Sequence, residues 1–364
     1  MGRGRWSGSA VAPPQPKIAL VRLSSLGDVI HSLPVAHALR LRFPDARLTW
    51  LVERREAAIL EGNPDLDHVV PVDTRLWRRE FRRVGGPRAV FVKVRGLGRR
   101  LRAGQFDLAL DLQGLWKSGV ITALSRAPVR VGFALGACRE AANVLFTNRR
   151  VPVDRGSHVV EQNLALLSAV GIAREEIGTP VFPITVDSAA ERAIGRYLDL
   201  EGIEPGETLV VLNPGSGGEQ KRWPGDAYAR LGDGLSRTLE ARVAVSWGPG
   251  EEPLARAIAH GMRATPLVLP PTTIPELAAL LRRAAVVVGG DTGPVHIAAA
   301  LGVPTVGLYG PTRARRNGPY GPGSVVVESA DGRMDAIGVA EVLATASRVA
   351  RERAPVALPP RLDG

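Results

Sequence analysis

Strand-length apolar runs alternate with helical patterns along this chain, and the series occurs twice. In the first half the runs are KIALVRL (17–23), RLTWLVE (47–53), HVVPV (68–72), DLALDLQ (107–113) and VRVGF (129–133). Between them stand VIHSLPVAHALRLRF, REAAILEG, an arginine-rich stretch and KSGVITALSRA, with apolar residues at helical spacing. The second half begins again with TLVVLNPGSGG (208–218), RVAVSWG (242–248), PLVLP (266–270), AVVVGG (285–290) and TVGLYG (305–310). Its helical segments are DAYARLGDGLSRTLE, EEPLARAIAHG, TIPELAALLRRA and GPVHIAAALG. Strands that are continuously apolar need helices over both faces, the condition of a parallel sheet. The chain is therefore expected to form two Rossmann-like, doubly wound α/β domains in tandem. Ligands of such sheets bind beyond the carboxyl ends of the strands, so two facing sheets would make a cleft with chemistry from both sides.

The length of 364 residues suits about two domains. The expected organisation is a flexible basic tail at 1–16, an N-terminal domain at 17–185 and a C-terminal domain at 186–334, of which 186–206 is a linking region. A last helix at 335–352 is expected to pack back across the hinge, and 353–364 to be a loose end. The single cysteine, Cys138, excludes an internal disulfide and any multi-cysteine metal site, and fits a reducing compartment. No window approaches the roughly 20 apolar residues of a membrane span. MGRGRWSGSAVAPPQP lacks the apolar run of a secretory signal, so a cytoplasmic protein is expected. The net charge of +11 points to acidic partners, and only four of the 47 basic residues are lysines: Lys17, Lys93, Lys117 and Lys221.

Four strand-end loops have the composition of a site. In SSLGD, Asp28 stands at the start of the helix after the first strand, beside Ser24 and Ser25. It reads equally as a helix cap or as a general base aimed into the cleft. In NPGSGGEQKRWP, Gly215, Gly217 and Gly218 can present several N–H groups to an anion, with Lys221 within reach of the same anion. The spacing is not that of a nucleoside-triphosphate loop. In GGDTGPVHIAAALGVPTVGLYGPT, Asp291, Thr292 and Gly293 open a small-residue helix whose free N–H groups form a second anion site, with His296 one turn further on. In WGPGEE, either Glu251 or Glu252 could accept from ribose hydroxyls, and an ordinary acidic first helical turn explains them equally well. The segment RLWRREFRRVGGPRAVFVKVRGLGRRLR (75–102) holds much of the positive charge and belongs to the Asp28 half, where an anionic acceptor would account for it.

VRLSSLGDVIHSLPVAHALR, DLALDLQGLWKSG, KRWP and GGDTGPVHIAAALGVPTVGLYGPT follow one another here as in the lipopolysaccharide heptosyltransferases. Over roughly residues 17–350 the chain resembles that family, glycosyltransferase family 9 of the GT-B fold. TRLWRREFRR, ACREAAN and HVVEQN look like its heptosyltransferase I branch. The resemblance implies inverting transfer of L-glycero-D-manno-heptose from ADP-heptose to a Kdo sugar of the lipid A inner core, with no metal ion and no cofactor. It implies that Asp28 is the catalytic base. It further implies donor contacts from Ser216, Gly217, Lys221, Glu251, Asp291, Thr292, Gly293 and His296, with Glu251 on the ribose. Acceptor contacts would come from Arg75, Arg78 and Arg79, with Ser25, Gln113, Lys117 and Arg139 nearby. The loop at 213–220 is richer in glycine than the family's, which implies backbone-mediated phosphate contacts. The implied partners are an ADP-sugar, an anionic Kdo-lipid A acceptor and the anionic inner face of a membrane; the protein is expected to be a monomer and to bind no nucleic acid.

The competing readings are a transferase of the same family with another sugar or acceptor, and more distantly a basic nucleic-acid-binding protein. A dehydrogenase is disfavoured because no G-x-G-x-x-G follows the first strand.

Overall fold

The computed structural model describes residues 5–6, 10–11, 15–204 and 206–352. They fall into two compact units, Met1–Thr185 and Val186–Gly364. The expected loose end at 353–364 lies outside the described residues, as does most of the expected tail at 1–16. Within that tail, β1 (Arg5–Trp6) pairs antiparallel with β2 (Ala10–Val11).

The first unit is built on six strands, β3 (Lys17–Val21), β4 (Arg47–Glu53), β5 (His68–Val72), β6 (Leu108–Asp111), β7 (Val129–Phe133) and β8 (Arg149–Val151). All pair in parallel, in the order β5-β4-β3-β6-β7-β8. The central strand β3 is sealed on both faces, with Ile18, Ala19, Leu20 and Val21 fully buried. Trp50, beside it on β4, is also buried, and its indole N–H donates to the Arg22 carbonyl at 3.1 Å, which fixes the chain as it leaves β3.

The second unit repeats the plan with β9 (Leu209–Asn213), β10 (Arg242–Val245), β11 (Leu267–Val268), β12 (Val286–Gly290), β13 (Thr305–Tyr309) and β14 (Ser324–Glu328). The order β11-β10-β9-β12-β13-β14 is again parallel throughout. Counted from the first strand of each sheet, both read 3-2-1-4-5-6, the doubly wound order. The helix Ser188–Leu200 lies against the helix Ile274–Arg283 of the same unit, and Glu191 pairs with Arg282. The last helix, Val339–Glu352, packs on the helix Gly225–Leu239 and over β12, β13 and β14.

Sequence patterning misses the sixth strand of each sheet. β8 has three residues, two of them arginines, and β14 is a half-buried SVVVE, so neither carries the long apolar run of a strand covered on both faces. REAAILEG, expected as an α-helix, winds as a 3-10 helix over Arg54–Leu60. Its buried residues, Glu56 with Ile59 and Ala57 with Leu60, recur at the three-residue spacing that a 3-10 turn brings to one side.

Candidate functional site

In the first sheet the strand order reverses between β3 and β6, so the chains leaving these strands part to opposite faces and open a crevice at their carboxyl ends. The chain leaving β3 enters the short helix Leu26–Ile30, whose N-cap is Ser25; Asp28 is the third helical residue rather than the cap itself. It nevertheless serves the helix start, since the Ser25 N–H and hydroxyl each donate to Asp28 Oδ2 at 3.3 Å. Two guanidinium groups hold the same carboxylate. Arg22 Nη2 donates to Oδ1 at 2.6 Å, and Arg139 donates from Nη2 to Oδ1 at 3.2 Å and from Nη1 to Oδ2 at 3.5 Å. Arg22 is buried, and its Nη1 donates to the Leu112 carbonyl just past β6, so one side chain bridges the switch point. Burial pushes the Asp28 carboxyl up, but Arg22 and then Arg139 outweigh it and hold the group well below the usual carboxylate range.

The chain leaving β6 is organised by Asp111, which is fully buried. Its carboxylate accepts from the Gln113 and Gly114 N–H groups, the Ser118 hydroxyl and the Asn143 amide at 2.6 to 3.0 Å. Gly114 turns the backbone there at φ +69°, a conformation that favours glycine. Gln113 is buried behind the loop at 23–25: its Oε1 accepts from Leu23 N–H and its Nε2 donates to the Ser24 carbonyl, each at 3.1 Å. Its amide therefore ties the two loops together. Lys117, further along, is half-buried; burial pushes its ammonium down, with Glu53 opposing that shift, Arg75 adding to it, and Glu140 and Glu56 opposing it. Glu53, which ends β4, and Glu56, just beyond it, are both buried and share a charged cluster with Lys117 and Arg75. Burial raises the Glu56 carboxyl, against Arg55 and Arg75. Arg78 and Arg79 stand exposed on the helix Thr74–Phe81.

The second sheet reverses its order between β9 and β12, and the glycine-rich loop and the Asp291 turn leave these two adjacent strands. Asn213, the last residue of β9, joins them by accepting from the Thr292 hydroxyl at 2.9 Å; its amide donates to Ser246 on the β10 side at the same distance. Thr292 is the N-cap of the helix Gly293–Ala300, yet no side chain caps that helix, so the first-turn N–H groups lack an intrahelical acceptor. Asp291 faces two partners, Lys221 Nζ at 3.6 Å and the buried His296 Nε2 at 3.3 Å. His296 therefore meets Asp291 rather than standing alone on the helix.

Glu251 is distinguished from Glu252 by what each touches. Glu251 turns back over the glycine-rich loop, accepting from Ser216 N–H at 3.0 Å and Gly248 N–H at 2.9 Å. Glu252 points outward to Arg256, its i+4 neighbour, at 2.7 Å. Gly215 is required by this closeness, since a Cβ there would lie 2.1 Å from Glu251 Oε2. Ser216 is fixed further by its hydroxyl donating to the Gly218 carbonyl at 2.7 Å, while nothing within 4 Å would meet a Cβ on Gly217.

Each sheet thus concentrates its expected residues at its own switch point: Asp28, Ser25 and Arg139 in one, and Ser216, Lys221, Glu251, Asp291, Thr292 and His296 in the other. Sequence reasoning misses Arg22, Asp111 and Asn213, the buried polar residues that join neighbouring loops. Each is a polar residue within or ending an otherwise apolar run, VRL, LALD and VVLN, and that interruption is the available signal. Among the described residues, no group of three or more His, Cys, Asp or Glu could hold a metal ion.

A family model described as glycosyltransferase family 9 (heptosyltransferase) matches residues 94–341. Lipopolysaccharide heptosyltransferase 1 of Pseudomonas aeruginosa is 32% identical over 317 residues, covering 85% of this chain and 82% of that protein. The structure of the E. coli heptosyltransferase WaaC with ADP superposes with a TM-score of 0.77 at 26% identity, over 92% of this chain and 99% of that one. The WaaC structure with ADP-2-deoxy-2-fluoro heptose gives 0.73 at 26% identity, over 90% and 97%.

Proposed function

The chain belongs to glycosyltransferase family 9, the heptosyltransferases, and on that premise we propose that it transfers L-glycero-D-manno-heptose from ADP-heptose to a Kdo sugar of the lipopolysaccharide inner core, with inversion at the anomeric carbon. The observation that carries this reading is a division by charge. One switch point holds an ionised acid, Asp28, and the other holds a lysine, a glycine-rich loop and an uncapped helix start. The ADP and the fluorinated ADP-heptose bound to the E. coli relative support an ADP-sugar as donor.

In this reading the acceptor hydroxyl attacks the anomeric carbon of the heptose, and its proton passes to Asp28 as the new C–O bond forms. The depressed pKa makes Asp28 a weak base, and it can take the proton because the hydroxyl becomes strongly acidic as bonding to carbon advances. Its depressed pKa keeps it ionised and ready. The departing ADP gathers negative charge, stabilised by Lys221, the N–H groups of the 214–218 loop and the start of the helix at Gly293. Glu251 holds that loop and accepts hydrogen bonds from the ribose hydroxyls; His296 orients Asp291, which in turn steadies Lys221. These cations and dipoles supply the charge stabilisation a divalent ion could give, so transfer proceeds without added metal.

Arg139 and Ser25 at Asp28, with Lys117, Arg75, Arg78 and Arg79, take the carboxylates and phosphates of an anionic Kdo-lipid A acceptor. Gln113 supports the loop from behind. The enzyme works in the cytoplasm as a monomer, binds no nucleic acid, and meets its acceptor at the anionic inner face of the membrane. Among the described residues no helix is long and apolar enough to cross a membrane.

Incubation with ADP-heptose or UDP-glucose and a Kdo-bearing lipid A, followed by mass spectrometry, tests donor and acceptor together. The expected result is a gain of one heptose from ADP-heptose alone. A gain from UDP-glucose, or none on the Kdo acceptor, overturns the assignment.

A further inference from the structure

The helix Gly86–Ala103 carries large apolar side chains outside its buried face as well as on it. Val90, Val94, Leu97 and Leu101, at i, i+4, i+7 and i+11, form the inner face, and Leu97 and Leu101 are buried in the core of the first unit. Arg88, Val92, Arg95 and Arg99 repeat the same spacing on the opposite face, with Phe91 beside them. Phe91 and Val92 are 62% and 59% exposed, and Leu76, Phe81 and Val84 on the preceding helix and its connection are more than half exposed too. Phe91 and Val92, neighbouring large apolar side chains on a solvated face lined by arginines, mark a contact site.

The charge around them selects the partner. From Arg75 to Arg102 there are eleven basic residues and a single acid, Glu80, which Lys93 engages at 2.6 Å. Arg88, Arg95 and Arg99 have no carboxylate partner within the salt-bridge distance among the described residues. We propose that the outer face of this helix, with the Thr74–Phe81 helix beside it, is the surface by which the protein docks on an anionic phospholipid bilayer. Arginines bind the headgroup phosphates while Phe91 and Val92 enter the acyl boundary, the pattern of a helix lying in a membrane interface. A nucleic acid would engage the arginines but leave Phe91 and Val92 in water. The proposal deepens the functional reading and rests on it for the lipid acceptor, since docking here would bring that acceptor to Arg75, Arg78 and Arg79 on the same pair of helices.

The test is cosedimentation with vesicles of phosphatidylglycerol in phosphatidylcholine and of phosphatidylcholine alone, with duplex DNA as a parallel arm. The full chain should partition to the anionic vesicles. Phe91→Ser with Val92→Ser should lower that partitioning by about tenfold or more, and Arg88, Arg95 and Arg99→Gln should remove the preference for anionic lipid. Both variants should keep wild-type circular dichroism and unchanged transfer to a water-soluble Kdo acceptor. Vesicle binding unaffected by the double serine variant, or binding to DNA in place of vesicles, overturns the proposal. Because partitioning is read without turnover, a protein that docks as described yet transfers no heptose refutes the functional reading alone.

Discussion

Arg22 donates a 2.6 Å hydrogen bond to Asp28 from one guanidinium nitrogen, while another is held by the Leu112 carbonyl across the switch point. The acid is therefore fixed in place and kept ionised by a cation that is itself buried. Removing one member of such a pair leaves the other uncompensated, which is why these pairs are costly to break.

The pH dependence follows from the sign of the Asp28 shift. A carboxyl whose folded pKa is depressed contributes stability that is present above about pH 4 and is lost as pH falls through the folded value. Asp28 is such a group, so its ionisation should set no acid limit on kcat/KM of the wild type above about pH 4. Burial alone pushes the carboxyl up, so Arg22→Met should move the acid limb of kcat/KM towards neutral pH. The same variant should lose about 3 kcal/mol in urea denaturation at neutral pH. Should it not fold, Arg22→Lys, which keeps the cation, should show a smaller shift in the same direction. An acid limb identical to wild type in both variants contradicts the role given to Arg22.

Glu251 and Glu252 should separate cleanly. Glu252→Ala removes an exposed i,i+4 pair and should change stability by no more than about 0.5 kcal/mol, with ADP affinity unchanged. Glu251→Ala removes the acceptor of the Ser216 and Gly248 N–H groups and should weaken ADP binding by about tenfold, one hydrogen bond's worth at a desolvated site. Gly215→Ala should give a similar loss by displacing the same carboxylate, and the double variant should be no worse than either alone. Calorimetric titration with ADP reads all four proteins; additive losses would mean that Gly215 and Glu251 act independently.

Lys221→Ala should lower ADP affinity by about tenfold or more, through loss of a cation beside the diphosphate. In the wild type, transfer should persist in excess chelator. Unchanged ADP affinity in the variant removes Lys221 from the donor site, and activity that disappears with chelator and returns with magnesium shows that the charge is supplied by a metal.

Most of the strands and the loops at their ends are legible in the sequence because both depend on local rules. Strands sealed on two faces are mostly apolar, which marks β3, β4, β9 and β12, while β8, with three residues, and the half-buried β14 carry no such mark. Gly215, Gly217 and Gly218 mark a loop after β9, and Lys221 beyond it faces Asp291. The residues that join loops are harder to read, since their partners are distant: Arg22 reaches Leu112, Gln113 reaches Leu23 and Ser24, and Asn213 reaches Thr292. Nothing in WGPGEE tells which glutamate turns inward, because that depends on where the helix begins; it begins at Glu252, leaving Glu251 at the cap. Gln113 illustrates the same limit, since LDLQG places it at a strand end but cannot say that its amide faces inward.

The base assignment is tested most directly by Asp28→Asn, which keeps the shape of the acid and removes its charge, beside Asp28→Ala. Single-turnover transfer from ADP-heptose to the Kdo-lipid A acceptor should fall by roughly 10²-fold or more in both, while calorimetric ADP affinity stays at the wild-type value. Transfer that continues at the wild-type rate in either variant contradicts the account.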